Sequence, residues 1–400
     1  MLGQSAADDT IYLDHAATTP LRDEAFAAME PWLRGGPANA STLHGPGRRA
    51  RVAVDAARET VARVLGCEPA EVVFTSGGTE ADNAALFGTL TGPDGRGGLV
   101  TSAAEHSAVL APARALASRG HAVTILDPGP TGALSPEAVA EALTPATGLV
   151  SAMWVNNEVG TVTDVRAVAE AAHAAGALCH TDAVQAAGVL PLSVGALVVD
   201  LLTVTAHKVG GPVGAGALFV RGGTPFAPVV LGGAQERGRR GGTENVAAIV
   251  GFAHALLLAE AERETHVARL RTLQMRLATR LRDAFGDALR FNTPLTGFAE
   301  HAAETAPHIV NVSLRPRSGV AFDGQMLLVG LDLDGVCVSA GSACTSGALE
   351  PSHVLLAMSV DRETAAATIR FSLGRTTTEA DVDAAAEAFV RVSARMAALS

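Results

Sequence analysis

Lys208 closes the stretch Thr205-Ala206-His207-Lys208, directly after the apolar run Ala196-Leu197-Val198-Val199-Asp200-Leu201-Leu202-Thr203-Val204. That run is rich in β-branched residues, and Gly210-Gly211-Pro212 follows the lysine. The pattern predicts a buried strand over 196–204 with Lys208 at its mouth. An ammonium is costly to hold charged in such a place, so burial drives the group toward the neutral amine. A neutral amine is the nucleophile that a Schiff base with an aldehyde cofactor requires. Cys344 offers a second nucleophile. It lies in Ser339-Ala340-Gly341-Ser342-Ala343-Cys344-Thr345-Ser346-Gly347, a run of small residues with no packing period, where a thiol is accessible and hence reactive.

Other polar residues fall just after predicted strands. Thr75-Ser76-Gly77-Gly78-Thr79 stands between a predicted strand and a predicted helix. Glycines and the free N–H groups of a helix start suit a phosphate there; the structural alternative is a capped turn with Thr79 and Asp82 in capping-box spacing. Asp182, in His180-Thr181-Asp182-Ala183-Val184-Gln185, ends another strand. A carboxylate at that end points into the crevice where α/β sheets bind ligands, and it can hold a pyridinium nitrogen protonated. The alternative is a helix N-cap. Glu105-His106 and Asn156-Asn157-Glu158 stand at corresponding strand ends, positions where ordinary loop polar groups also occur.

The elements that must position these groups alternate along the chain. Strands are predicted at 71–74, 99–101, 123–126, 149–154, 177–180, 198–204 and 217–220, with helices at 22–33, 48–65, 108–118, 136–143 and 165–175, and one opening near Gly78. Buried strands separated by amphipathic helices imply a mostly parallel sheet covered on both faces. Helical spacing over 246–285 is too long for one globular helix and is expected to bridge to a second domain with strands at 309–314, 335–338 and 368–373. Four hundred residues exceed one ordinary core. The expected division is a 1–20 segment, a large domain over 21–262 and a smaller α+β domain over 263–400.

The net charge of −11 argues against a nucleic-acid binder, since no basic stripe is available to neutralise phosphates. No apolar run reaches membrane-spanning length, and the acidic residues 1–10 carry no export signal, so a cytoplasmic protein is expected. The four cysteines have no C-x-x-C pairing and suggest neither a disulfide framework nor a metal site. Cys67, Cys179 and Cys337 are expected to be small core residues.

A phosphate cradle, a histidine, an aspartate and a buried lysine, each following a strand of one sheet, together make a pyridoxal 5'-phosphate site. With Asp182-Ala183-Val184-Gln185 and Ala206-His207-Lys208 in place, the chain resembles a cysteine desulfurase of the NifS/IscS type, among class V aminotransferase-like enzymes. The likeness continues through Gly232–Asn245, Ser339–Gly347 and Ile369-Arg370-Phe371-Ser372-Leu373. It implies an α/β fold-type I pyridoxal-phosphate enzyme that removes sulfur from L-cysteine, giving alanine and a persulfide on Cys344. Lys208 would carry the cofactor and move protons. Gly78, Thr79, Thr205 and His207 would bind its phosphate, with Thr243 reaching over from the partner subunit of a homodimer. His106 would stack on the ring and take part in acid–base work; Asp182 would pair with the ring nitrogen. Gln185 and Asn157 would contact the phenolic oxygen and the substrate, and Arg370 the substrate carboxylate. A sulfur acceptor, such as an iron–sulfur scaffold or a tRNA-thiolation enzyme, is implied, with no metal in the chain itself. Selenocysteine lyases and class V transaminases share the scaffold; Cys344 argues against the transaminase, and Lys208, Asp182 and Arg370 argue against a catalytically dead scaffold. The chain departs from the commoner pattern at Asp14-His15-Ala16-Ala17, at Ala38-Asn39-Ala40-Ser41-Thr42, at Thr205 (often serine) and at Gly210-Gly211.

Overall fold

The computed structural model describes residues 10–36, 39–91, 97–316, 321–340 and 350–398. After the short strand β1 (Ile11–Tyr12), seven strands form the large sheet: β2 (Val72–Thr75), β3 (Gly98–Ser102), β4 (Val123–Leu126), β5 (Thr147–Ser151), β6 (Leu178–Asp182), β7 (Leu201–Thr205) and β8 (Gly216–Val220). Their order is β2-β8-β7-β6-β5-β3-β4. Only β8 runs against its neighbours. The central strands are buried along their whole length, as expected when helices cover both faces. The C-terminal ends of β2, β3, β5, β6 and β7 therefore share one edge, and the polar residues singled out above follow those ends.

A smaller antiparallel sheet is built from β9 (Leu289–Phe291), β10 (Ile309–Leu314) and β12 (Thr368–Ser372), in the order β12-β10-β9. Strand β11 (Val336–Cys337) instead pairs with β1, which ties the start of the chain to this C-terminal part. The sheets take the architecture anticipated, a large mostly parallel sheet with a smaller C-terminal one.

Two expectations fail in instructive ways. Residues 246–285 form one continuous helix, Val246–Phe285, about 60 Å long at the usual rise. It survives at that length because it packs in two places. Residues 246–256, His254 apart, are buried against helices Asp23–Arg34 and Gly45–Leu65, and Leu270, Leu273, Leu277 and Leu281 then bury a narrow stripe against the small sheet. The predicted strand over 196–204 begins only at Leu201. Val194–Leu197 is a helical turn, and Val198 sits at φ 53°, a left-handed conformation that breaks the extended run. Asp200 breaks it too, since its carboxylate accepts the Cys179 N–H at 2.8 Å and faces His173 Nε2 at 2.8 Å. Of the described cysteines, Cys179 is buried as expected, but Cys67 and Cys337 are only half-buried.

The glycine-rich loop that carries Thr243 is anchored by an ion pair in the core. Both terminal Arg58 guanidinium nitrogens donate to Glu236 at 2.7 Å, and Glu236 also accepts the Phe74 N–H of β2 at 2.9 Å. Glu236 and Arg237 adopt φ 47° and 58°, so the loop holds a strained turn only because this anchor pins it. Breaking one partner of a buried pair strands the other charge, at about 3–5 kcal/mol. Arg58→Met should therefore lower the urea midpoint by the equivalent of about 3 kcal/mol at unchanged slope. A loss under about 1 kcal/mol would show that the pair does not anchor the loop.

Candidate active site

The shared sheet edge opens into a cavity of about 370 Å³ between the two parts of the chain. Gly78, Thr79, His106, Asn157, Asp182, Gln185, Thr205, His207, Lys208 and Arg370, ten of the twelve residues marked out from sequence, line it. Thr243 does not: it borders a separate cavity of about 180 Å³ with Ser76, Gly214 and Arg240. Cys344 lies outside the described residues.

Lys208 ends a turn of 3-10 helix after β7, which turns its side chain back over the sheet edge. Its Nζ donates to the Ala16 carbonyl and, at 2.6 Å, to the Ala17 carbonyl. Burial, helped by the Arg370 guanidinium, pushes the ammonium down to about 8. Arg370, in β12, is itself held by Asp14 Oδ1 at 2.7 Å and the Asn157 carbonyl at 2.8 Å, while its Nε has no protein partner. The guanidinium is thus oriented in advance, with a donor left for a carboxylate.

At the other end of the cavity, helix Gly78–Leu90 starts with no side-chain cap. Gly77 precedes it at φ 154°, a backbone conformation that L side chains seldom adopt. A Cβ on Gly78 would stand 3.0 Å from Val184 Cγ2, within the cavity wall. The uncapped N–H groups and the bare backbone form an anion cradle. Thr205 Oγ1 donates to the Ala215 carbonyl at 3.2 Å, and His207 Nδ1 lies 3.2 Å from Thr18 Oγ1. Arg240 grips Glu80 through two contacts of 2.8 and 3.1 Å, linking the Thr243 loop to the first turn of this helix.

The floor is carboxylate-rich. Asp182 Oδ1 accepts the Val184 N–H at 2.9 Å, and burial raises the group above its ordinary value. Asp82, read from sequence as half of a capping box, caps nothing. It is buried beside His180 (3.6 Å), its Oδ1 has no hydrogen bond, and burial with the nearby Asp182 charge raises it well above its ordinary value. Glu105 is raised for the same reason, although its Oε1 accepts the Met153 N–H at 2.7 Å. A buried carboxylate pair of this kind calls for a cation above it. Asp82 was open to recognition, since it sits four residues after Gly78 and hence on the same helix face.

His106 is the N-cap of helix Ser107–Ser118, and its Nδ1 accepts the Ala108 N–H at 3.1 Å. In the neutral ring, which burial favours, the proton then sits on Nε2. In this state the ring offers an N–H at Nε2 and no free lone pair, so it serves as a hydrogen-bond donor.

These positions make Lys208 the reactive amine of the cavity. The rate at which an added aldehyde is captured on Lys208, trapped with borohydride and read by mass spectrometry, should rise about tenfold per pH unit below 8 and level above it. A rate still climbing past pH 10 would mean that the amine is not depressed.

The aminotransferase class-V family model matches residues 11–385. The chain is 39% identical over 391 residues to the cysteine desulfurase IscS of Dictyoglomus turgidum, covering 98% of this chain and 96% of that protein. Among solved structures, a NifS-like protein superposes with a TM-score of 0.86 at 33% identity, over 96% of this chain and 100% of that one. SspA in complex with cysteine superposes at 0.77 and 32% identity, over 90% of this chain and 98% of that one. With this extent of agreement along the sequence and the fold, the chain belongs to the class-V aminotransferase family and, within it, to the cysteine desulfurases.

Proposed function

We propose that the chain converts L-cysteine to L-alanine with pyridoxal 5'-phosphate, leaving the sulfur as a persulfide on Cys344. The observation that carries this is one cavity joining a depressed lysine amine, an uncapped helix start and a buried aspartate. Its donor set fits the cofactor at each end. Lys208 would hold the aldehyde carbon covalently; Gly78, Thr79, Thr205 and His207 would hold the phosphate. Asp182 would meet the ring nitrogen, whose proton offsets the buried carboxylate charge, and His106 would lie on the ring. When bound, the cofactor supplies an electron sink for the pair released when the substrate's α-proton leaves.

The remaining work falls to the chain's own residues. Arg370 binds the substrate carboxylate with the donors that Asp14 and Asn157 leave free, and Asn157 Oδ1, buried and without a partner, faces the same space. Lys208, neutral in a large fraction near pH 8, takes the α-proton and returns protons to carbon. The Cys344 sulfur attacks the substrate sulfur: an S–S bond forms, the C–S bond breaks, and its electron pair goes to the carbon, which is protonated to the methyl group of alanine. The thiol of Cys344 contributes one hydrogen and the persulfide keeps one, so the exchange balances without an oxidant.

Reach supports Cys344. Ser339 is paired with Arg370 through backbone hydrogen bonds of 2.6 and 3.2 Å and lines the cavity. Cys344 is five residues on, a span of at most about 18 Å. None of the other cysteines lines the cavity, and burial pushes the Cys67 thiol up to about 12 and the Cys179 thiol higher. We further take residues 21–262 as the cofactor-holding domain and 263–400 as the smaller one. A homodimer would bring Thr243 to the phosphate of the neighbouring subunit. The persulfide would pass to an acceptor such as an iron–sulfur scaffold or a tRNA-thiolation enzyme.

The test separates proton removal from sulfur transfer. In deuterated water Cys344→Ser should still exchange the α-hydrogen of cysteine within about a few-fold of wild type, yet make no alanine and carry no persulfide by mass spectrometry. Lys208→Ala should lose both. Alanine produced at the wild-type rate by Cys344→Ser, or a persulfide on Cys67, Cys179 or Cys337, would defeat the assignment.

A further inference from the structure

Lys208, Val184 and Gln185 form a wall with a second space behind it. On the far side lies a chamber of about 70 Å³, bordered also by His15, His266 and His308. The Gln185 amide is gripped from two directions. Its Nε2 donates at 2.8 Å to the carbonyl of Ala16, the same oxygen that accepts from Lys208 Nζ. Its Oε1 lies 3.2 Å from His308 Nε2. A backbone carbonyl can only accept, so the amide nitrogen must face Ala16 and the amide oxygen must face His308. His308 therefore carries its proton on Nε2, and Nδ1, which has no protein partner, is left as an acceptor.

The backbone that carries His308 is itself fixed from behind. The Leu373 N–H donates to the His308 carbonyl at 2.7 Å. Gln274, fully buried on the long helix, donates to the carbonyls of Ala306 and Ile309, both at 2.9 Å, on either side of it. His308 faces His15 from the loop after β1, His266 from the long helix, Arg370 from β12 and Lys208 from the turn after β7. Burial and these neighbours push it down to about 3, so its Nε2 proton is present as a neutral donor at any working pH.

We propose that His308 is a positioning residue that locks the Gln185 amide, so that an Nε2–H faces the cofactor oxygen next to the carbon held by Lys208. The proposal rests on the cofactor reading of the site given above. In pyridoxal phosphate the phenolic oxygen is on the ring carbon beside the aldehyde. Gln185 and Lys208 share the Ala16 carbonyl, so whatever Lys208 bonds has the Gln185 amide beside it. Of the two Nε2 hydrogens one is spent on Ala16, and the other remains for that oxygen. With the cofactor bound, an N–H there would stabilise negative charge on the phenolic oxygen and so ease loss of the proton nearby; a misplaced amide would not. Without His308, the buried Oε1 loses its one hydrogen bond, and the amide has reason to turn.

Wild type, His308→Leu and His308→Gln are prepared as holoenzymes, and the visible band of bound pyridoxal phosphate is titrated with pH. The midpoint should rise by about one unit in His308→Leu and return close to wild type in His308→Gln, which restores a donor. In cofactor-free wild type, nitrogen NMR of His308 should show the proton on Nε2. A midpoint unchanged in His308→Leu, or a proton on Nδ1, overturns the inference while leaving the cofactor reading intact. If His308→Leu does not fold, a wild-type midpoint in His308→Gln together with the Nε2 proton supports the inference, and a displaced midpoint in His308→Gln overturns it. A wild type that develops no band with the cofactor overturns the cofactor reading, and this inference with it.

Discussion

Keeping one amine out of water at the end of a parallel sheet is the constraint on which the rest of the molecule depends. Lys208 reaches that position because β7 is buried along its length and ends in a single tight turn. The same burial that lowers the ammonium would leave it without partners, and the Ala16 and Ala17 carbonyls answer that need. Those carbonyls belong to the loop after β1, and β1 is held by β11 of the C-terminal part. The lysine's environment is thus completed only when the two ends of the chain meet. Arg370 repeats the pattern, with its guanidinium from β12 bound to Asp14 of the same loop.

Electrostatics at the cavity floor follow from the same economy of water. Asp182, Asp82 and Glu105 are all buried, and all three are raised by that burial. A floor of this kind is stable when most of its carboxyls are neutral and one faces a positive group. The protonated ring nitrogen of the proposed cofactor would supply such a group, and the arrangement would favour its electrophilic form. His106, with Nδ1 given to a backbone N–H, cannot add a competing base at this point.

Much of this was legible in the sequence because strand ends are punctuated by residues that chemistry needs. Buried four- and five-residue runs such as Val72–Thr75 and Leu201–Thr205 stand out by composition, and the residues that follow several of them line the cavity. What the sequence concealed depended on tertiary partners. Ala196 to Val204 looks like one strand until Val198 turns left-handed and Asp200 is claimed by the Cys179 N–H and His173. The helix Val246–Phe285 exceeds an ordinary globular length because two separate surfaces bury it. Asp82 had a local explanation as a cap, which hid a partnership with His180 and Asp182 that only the folded sheet creates. His308 was invisible for the same reason, its significance being a hydrogen bond across 123 residues of chain.

The central claim is that sulfur leaves cysteine at this cavity and arrives on Cys344. A single-turnover experiment tests it most directly: the holoenzyme is mixed with less than one equivalent of cysteine labelled with heavy sulfur, quenched, and digested for mass spectrometry. The account predicts heavy sulfur on the Cys344 peptide and alanine formed in equal amount. Alanine accompanied by free labelled sulfide with Cys344 unmodified, or label on any other cysteine, would contradict it.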